Sequence, residues 1–377
     1  MYYIDSLLIK NFRNYKHQQV QFNPRLNILM GRNAQGKTNL LETIYYLSVT
    51  RSFRTNRDQE LAHWDDRHFF LKGCFLKDDF SNEIQVSYRH NEQLKVLINS
   101  DPVKRYDHLQ QFPVVIFSPD DLLLIREGPS TRRRFLNLEA SRLSPVYFKE
   151  LRMYQRILQQ RNQLLKDKYN YTAINTLLDP WDQALVTSGT NIIHNRIEMI
   201  GELEKEAQLL FNQMTNCREK LSLKYVTSVE ADGNLQLTKE KFYRNLIAKR
   251  DQELKRGSTA IGPHLDDLEI SINGYDTRKY SSQGQKRTAA LALKMAEVSL
   301  FKKQHNDCPI ILLDDVFSEF DRERKSHLLA FLKENTGQCF ITTAVGLNSL
   351  VESLNRDHKI INVHQGSISN EKGGLSS

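Results

Sequence analysis

The sequence predicts an α/β fold in which a parallel sheet is split by a long helical insertion, and three observations carry that reading. Residues 31–38 run Gly31-Arg32-Asn33-Ala34-Gln35-Gly36-Lys37-Thr38, a glycine-bounded loop between a short apolar run and a helical pattern. Late in the chain, Pro309-Ile310-Ile311-Leu312-Leu313 ends in the paired acids Asp314 and Asp315. Between them, from about Thr131 to Cys217, apolar residues recur at helical rather than strand spacing.

The loop at 31–38 has the Gly-x-x-x-x-Gly-Lys-Thr pattern of a phosphate-binding P-loop. Two glycines let successive backbone N–H groups converge on anionic oxygens, Lys37 adds a mobile positive charge, and the Thr38 hydroxyl suits Mg²⁺. Leu26–Met30 reads as the buried strand before it and Thr38–Leu47 as the helix after it, so a helix N-terminus points at the phosphates. ATP or GTP binding with Mg²⁺ follows. Asp314, at the end of its apolar strand, is the metal-side acid, and Asp315 is placed to orient water.

Upstream of that strand lies Ser281-Ser282-Gln283-Gly284-Gln285, followed by the strong helix-forming run Thr288–Glu297. Two readings stand: a capped turn with Ser282 or Gln283 near the N-cap, or a second phosphate cradle formed by Ser282, Gly284 and Gln285. The order of P-loop, cradle and acid strand favours the second.

A chain of 377 residues accommodates about two domains. Its net charge of +8 and pI near 9.1 suit a polyanionic partner such as nucleic acid. No apolar stretch approaches the ~18 residues of a membrane span, and Met1–Asp5 lacks a signal-peptide pattern, so a cytoplasmic protein without membrane association is expected. Cys74, Cys217, Cys308 and Cys339 lie too far apart for a zinc or disulfide framework and are expected reduced and mostly buried.

Strand alternation marks 7–22, then 69–98 as a meander on the flank of the nucleotide sheet, and Pro113–Phe117 as a buried strand. In the helical segment, Leu151, Tyr154, Leu158 and Leu165 mark one stripe; Trp181, Leu185, Ile192, Met199, Leu203 and Leu210 mark another, with Asp179-Pro180 as its expected start. Two helices of roughly 35 residues would reach about 50 Å each, as a projecting arm or as a compact helical subdomain with bent helices. Leu221–Val226 reads as a strand, Lys239–Lys255 as a charged helix and Gly262–Ile272 as a return to strand. The expected organisation is a head at 1–125, an inserted helical arm domain at 126–256, the rest of the head at 257–365, and a flexible Gly/Ser-rich tail at 366–377.

These residues together resemble the bacterial RecF family, recombination and replication-repair ATPases with an ABC/SMC-like head. The resemblance runs through Asn11–Tyr15, the P-loop, Arg51–Thr55, Phe117–Leu122, Arg132-Arg133-Arg134, Gly262-Pro263-His264, Ser281–Gln285 and Asp314-Asp315. It implies a P-loop NTPase of ABC/SMC-head type with a mixed β-sheet flank. It further implies ATP-dependent homodimerisation on double-stranded and gapped DNA, slow DNA-stimulated hydrolysis, and work with RecR, RecO and RecA in replication, recombinational repair and the SOS response. In such heads the signature faces the P-loop of another subunit, and Val316–Asp321 resembles the loop that reaches across to it. Thr343 stands where transporter ATPases carry a switch histidine, as in RecF and SMC heads, and this suits a slow switch.

Arg51 and Arg54 are DNA-contact candidates, against surface pairing with Asp58 and Glu60. Arg132, Arg133 and Arg134 are candidates too, against a solvated basic turn capped by Ser130. His264 is left without a role. A transporter ATPase subunit is disfavoured by the absent switch histidine and the long insertion. A small-molecule P-loop kinase is disfavoured by the distance between P-loop and acid strand.

Overall fold

The computed structural model describes residues 1–370, except 79, 106, 107, 110, 168–172, 232, 345–353, 355 and 356. Two compact units divide it: Met1–Asp121 with the chain from Lys294 onward, and Leu122–Leu293. The first segment of the first unit ends at Asp121, and residues 257–293 lie in the second unit.

In the first unit, β1 (Tyr2–Phe12), β2 (Tyr15–Gln21), β4 (His68–Lys77), β5 (Phe80–Arg89), β6 (Lys95–Ile98) and β7 (Asp101–Val103) form an antiparallel sheet in the order β2-β1-β4-β5-β6-β7. Phe69, Leu71 and Phe75 of β4 are buried while their neighbours are not, the period of a sheet with one face on a core. The meander therefore belongs to a sheet of its own with β1 and β2. The second sheet comprises β3 (Leu26–Met30), β8 (Val114–Phe117), β12 (Ile310–Leu313), β13 (Cys339–Thr343), β14 (His358–His364) and β15 (Ser367–Asn370), in the order β15-β14-β3-β13-β12-β8. All its pairings are parallel except the β14–β15 hairpin. Every residue of β8, β12 and β13 is buried, as in a parallel sheet covered on both faces.

Helix α1 (Lys37–Val49) packs on β1, β4 and β5 of the first sheet and on β8 and β13 of the second. That double cover explains why it is buried nearly all round rather than along one stripe. The Gln338 side chain also links the sheets: its Oε1 accepts from the Ile4 N–H and its Nε2 donates to the Ile4 carbonyl, each at 2.8 Å. Serine 367 to Asn370, expected within a flexible tail, instead pair with β14; residues 371–377 lie outside the described residues.

The second unit holds α2 (Leu122–Arg126), α3 (Pro129–Leu143), α4 (Pro145–Lys166), α5 (Ile174–Thr215), α6 (Leu235–Ala248), α7 (Arg250–Arg256) and α8 (Thr277–Tyr280). Its sheet orders β11 (Tyr275–Asp276), β10 (Asp267–Ile272) and β9 (Leu221–Val226). The first expected rod is two helices, because the Ser144 hydroxyl accepts from the Tyr147 N–H at 3.1 Å and Pro145 opens a new helix. The 42-residue α5 is one rod of about 63 Å at 1.5 Å per residue, packed by α4, α6 and β9. The charged stretch expected as one helix over 239–255 is broken between α6 and α7.

Proline 180, expected at the first helical position, lies inside α5. Asp179 pairs with Arg250 at 2.8 Å instead of capping, and the same guanidinium donates to the Asn175 carbonyl at 3.3 Å. A tertiary ion pair thus replaces the local cap. Deeper in this unit, fully buried Arg161 meets Asp182 at 2.5 Å, Glu253 at 2.6 Å and Thr259 at 2.8 Å. Arg196 is held by Tyr147, Tyr225, Asn137 and the Pro263 carbonyl. His264 belongs to this core: its Nδ1 lies 2.7 Å from the Tyr154 hydroxyl, and burial lowers its pKa to about 4.

Helix α9 (Gln283–His305) contains the boundary at Leu293, and α10 (Val316–Glu319) and α11 (Arg322–Glu334) follow β12 in the first unit. Cys308 and Cys339 are buried, Cys74 is half-buried and Cys217 is exposed, so burial fits two of the four; all are free thiols. Among the described residues no helix is long and apolar enough to cross a membrane.

Candidate nucleotide site

The P-loop joins β3 to α1, as the strand, loop and helix pattern requires. Gly36 has φ 120°, a conformation few side chains tolerate, and a Cβ there would lie 2.7 Å from Asn14 Nδ2. A Cβ on Gly31 would fall 2.3 Å from the Val363 carbonyl of β14. Lys37 Nζ donates to the Gly31 and Arg32 carbonyls at 2.7 and 3.0 Å, so the ammonium is held over its own loop. Burial holds it below the usual lysine range against the opposing pull of Asp315 and Asp314.

The two distant motifs meet here. The Thr38 hydroxyl donates to Asp314 Oδ1 at 2.9 Å across the C-terminal edge of the parallel sheet. Burial pushes Asp314 above the usual carboxylate range; hydrogen bonds from Thr38 and Thr342 oppose it, Asp315 adds to it and Arg54 subtracts. Thr342, which sequence reasoning missed, serves both acids: its hydroxyl lies 3.1 Å from Asp314 Oδ1 and accepts the Asp315 N–H at 2.7 Å. Asp315 itself is exposed and left-handed at φ 53° at the start of α10.

A third layer backs the loop. Asn14 Nδ2 donates to the Gln35 carbonyl at 3.0 Å, the Tyr15 hydroxyl donates to the Gly36 carbonyl at 3.0 Å, and Asn39 Nδ2 donates to Asn14 Oδ1 at 2.8 Å. Arg13 binds the fully buried Glu42 carboxylate of α1 through two hydrogen bonds of 2.8 Å, and Ser52 Oγ donates to the same group at 2.5 Å. The motif Asn11–Tyr15 thus braces the loop, a role that no local pattern announces. The hairpin turn before β15 adds two donors: the Gly366 N–H to the Gln35 carbonyl at 3.0 Å and the Gln365 N–H to Gln35 Oε1 at 2.9 Å. A cavity of about 520 Å³ opens over Asn33, Ala34, Lys37, Thr38, Asp314 and Asp315.

Arg54 lines that cavity and donates to Asn39 Oδ1 at 2.8 Å, with Glu42 at 3.6 Å. Its expected DNA contact therefore competes with a place at the nucleotide site; both Arg54 and Arg51 are exposed. Arg132 corrects its expectation: it is buried and pairs with Asp267 through bonds of 2.7 and 2.8 Å, which leaves no solvated guanidinium for a phosphate. Arg133 donates to the Asp266 carbonyl at 2.9 Å, and Arg134 is exposed.

In the second unit, Ser282 and Gln285 form a reciprocal cap at the start of α9. The Ser282 hydroxyl accepts the Gln285 N–H at 3.2 Å, and Gln285 Oε1 accepts the Ser282 N–H at 2.7 Å. Gln285 Nε2 also donates to Glu219 at 2.6 Å. The cap reading is realised in this geometry, and Ser282 and Gly284 stand at a helix N-terminus as a cradle requires.

Fold and site define a P-loop nucleotide-binding protein of the ABC/SMC-head class. The family model described as RecF/RecN/SMC N terminal domain matches residues 3–369. The DNA replication and repair protein RecF of Halothermothrix orenii is 40% identical over 376 residues, covering 98% of this chain and 99% of that protein. The RecF of Halalkalibacterium halodurans is 39% identical over 369 residues, covering 97% and 99%. A solved structure of the recombination mediator protein RecF-ATP in the RecFOR pathway superposes with a TM-score of 0.90 at 36% identity, covering 98% and 99%. An Smc head domain from Pyrococcus furiosus, at 15% identity and TM-score 0.56, shares the fold. The chain belongs to the RecF family.

Proposed function

We propose that this protein is an ATP-gated clamp on double-stranded DNA, working in replication and recombinational repair, including the SOS response. The observation that carries the reading is the Thr38–Asp314 hydrogen bond, which brings the P-loop hydroxyl and the acid strand to one point beside Lys37. An oxygen-only pair of this kind suits Mg²⁺, which retains waters and phosphate oxygens and needs few protein ligands. Relatives at 39–40% identity named as DNA replication and repair proteins, and the ATP complex of a similar protein, support the same assignment.

In this reading the backbone of Gly31, Arg32, Asn33, Ala34, Gln35 and Gly36 cradles the phosphates, Lys37 moves from its loop carbonyls to the phosphate oxygens, and Thr38 with Asp314 holds Mg²⁺. Ser282, Gly284 and Gln285 of a second copy close the site, so a homodimer forms with ATP. Bound ATP supplies a γ-phosphate whose hydrolysis removes the charge bridging the copies. Asp315 orients the attacking water, from an exposed position at the start of α10. Arg51, Arg133 and Arg134 serve the DNA backbone, and RecR, RecO and RecA are the expected partners at gapped DNA. Binding to DNA weakens steeply with salt as phosphate contacts release counterions.

Titration of a labelled duplex without nucleotide, with ADP and with ATP, beside Lys37→Met and Ser282→Arg, tests this. The clamp predicts tighter binding with ATP alone, lost in both variants. Binding indifferent to nucleotide would sink it.

A further inference from the structure

Trp64 is 91% exposed, the barest large apolar side chain among the described residues. It sits on no loose loop. The Arg13 N–H donates to the Leu61 carbonyl at 2.7 Å, Phe12 and Ala62 form a β-bridge, the His63 N–H donates to the Asn11 carbonyl at 2.8 Å, and the Asp66 N–H donates to the His63 carbonyl at 2.8 Å. Backbone bonds on both sides therefore fix the residue that carries the indole. The strand end that pins it, Asn11–Tyr15, is also the segment that braces the P-loop.

Trp64 also lines the cavity over the P-loop, together with Asn33, Lys37, Arg54 and Asp315. The lysine, the glycine loop and the acids account for phosphates and metal but offer no flat apolar surface. A nucleotide has one group that needs such a surface, its base. Every base presents a π-face, and an indole held in place against water gains most by covering one.

We infer that Trp64 is the stacking platform for the base of the bound nucleotide, so that the site reads the whole nucleotide and not only its phosphates. This rests on the nucleotide-binding reading above. It assigns to Trp64 a share of affinity that inorganic tripolyphosphate cannot use, because that anion has the phosphates and no base.

The chain has two tryptophans, Trp64 and Trp181, so Trp181→Phe leaves Trp64 as the only indole emitter. In that background the full-length protein is titrated with Mg-ATP and with Mg-tripolyphosphate. In parallel, retention of radiolabelled ATP is measured for the wild type, Trp64→Ala and Trp64→Phe. The expected result is quenching by ATP and none by tripolyphosphate, although the latter displaces labelled ATP. Trp64→Ala should bind ATP roughly tenfold more weakly, with tripolyphosphate affinity unchanged and Trp64→Phe recovering most of the loss. ATP retention by the wild type with unchanged Trp64 emission, and unchanged affinity in Trp64→Ala, would overturn the stacking role alone. So would emission that responds to protein concentration or to duplex DNA without nucleotide, which would make the indole a contact for a macromolecule. Failure of the wild type to retain ATP would instead remove the nucleotide-binding reading itself.

Discussion

Alanine at Gly366 should loosen the P-loop from a position far away in sequence. Gly366 has φ 74°, and a Cβ there would lie 2.1 Å from the Asn14 carbonyl oxygen and 2.9 Å from its carbon. The left-handed conformation costs a residue with a Cβ about 1 kcal/mol. The clash is with backbone, so the hairpin must move by about 1.4 Å to reach an ordinary contact of roughly 3.5 Å. That displacement breaks the two hydrogen bonds to Gln35, each worth about 1 kcal/mol net. The sum, about 3 kcal/mol, is on the order of a hundredfold in local opening. The assay is hydrogen exchange resolved by peptide over 31–40 and 358–370, since a protein of two units need not unfold in one step. Gly201→Ala is the control: Gly201 lies in α5, a Cβ there meets nothing within 4 Å, and alanine should stabilise the helix by about 0.5–1 kcal/mol. Protection over 31–40 and 358–370 that stays within about threefold of wild type in Gly366→Ala would show that the hairpin does not brace the loop.

Arg132→Ala strands the partly covered Asp267 carboxylate and should cost about 2–3 kcal/mol in the stability of its unit, whereas exposed Arg51→Ala should leave stability within about 0.5 kcal/mol and lower the salt slope of duplex binding by about 1. Thermal melts and salt titrations read the two effects separately. Burial pushes Asp121 from 3.8 up to about 6, so its folded form keeps a proton that the unfolded chain has shed; that stabilisation is full below about pH 4 and lost as pH rises through 6. His264 runs the other way, from 6.5 down to about 4: its contribution is present above pH 6.5 and lost as pH falls through 4. Over pH 4 to 7 the two contributions oppose each other, so melts of Asp121→Asn should gain stability at pH 7 and show a steeper loss toward acid, with the His264 contribution no longer offset, while His264→Gln should reduce the acid loss.

The parts of the fold that were legible in the sequence are those coded within a few consecutive residues. Strand β3, the P-loop and α1 are contiguous, and β12 announces itself by four buried aliphatics before two acids. What local pattern could not supply is pairing across the chain. Asp179-Pro180 has the composition of a helix start, yet Arg250, from α7, binds Asp179 and the Asn175 carbonyl, and α5 begins earlier. Arg132 in a basic triplet looks solvated until Asp267 is folded against it. Thr342 offers no motif at all, because its hydroxyl matters only where β13 lies beside β12. The Gly and Ser content of the last residues suggested a tail, but Gly366 serves a turn that few other residues could make.

The order of the second sheet sets a schedule for synthesis. The P-loop strand β3 leaves the ribosome long before its two sheet neighbours, β13 and β14, residues 339–343 and 358–364. While the intervening chain is made, β3 has both edges unpaired and its loop lacks the Val363 and Gln365-Gly366 backbone that packs against it. The unit from Leu122 to Leu293 is meanwhile complete in sequence and free to fold first. A growing chain therefore cannot form a finished phosphate loop until residues up to Gly366 have emerged, which ties nucleotide binding to the synthesis of β14 and its turn. Until β13 and β14 emerge, β3 presents unpaired apolar edges, a template for aggregation.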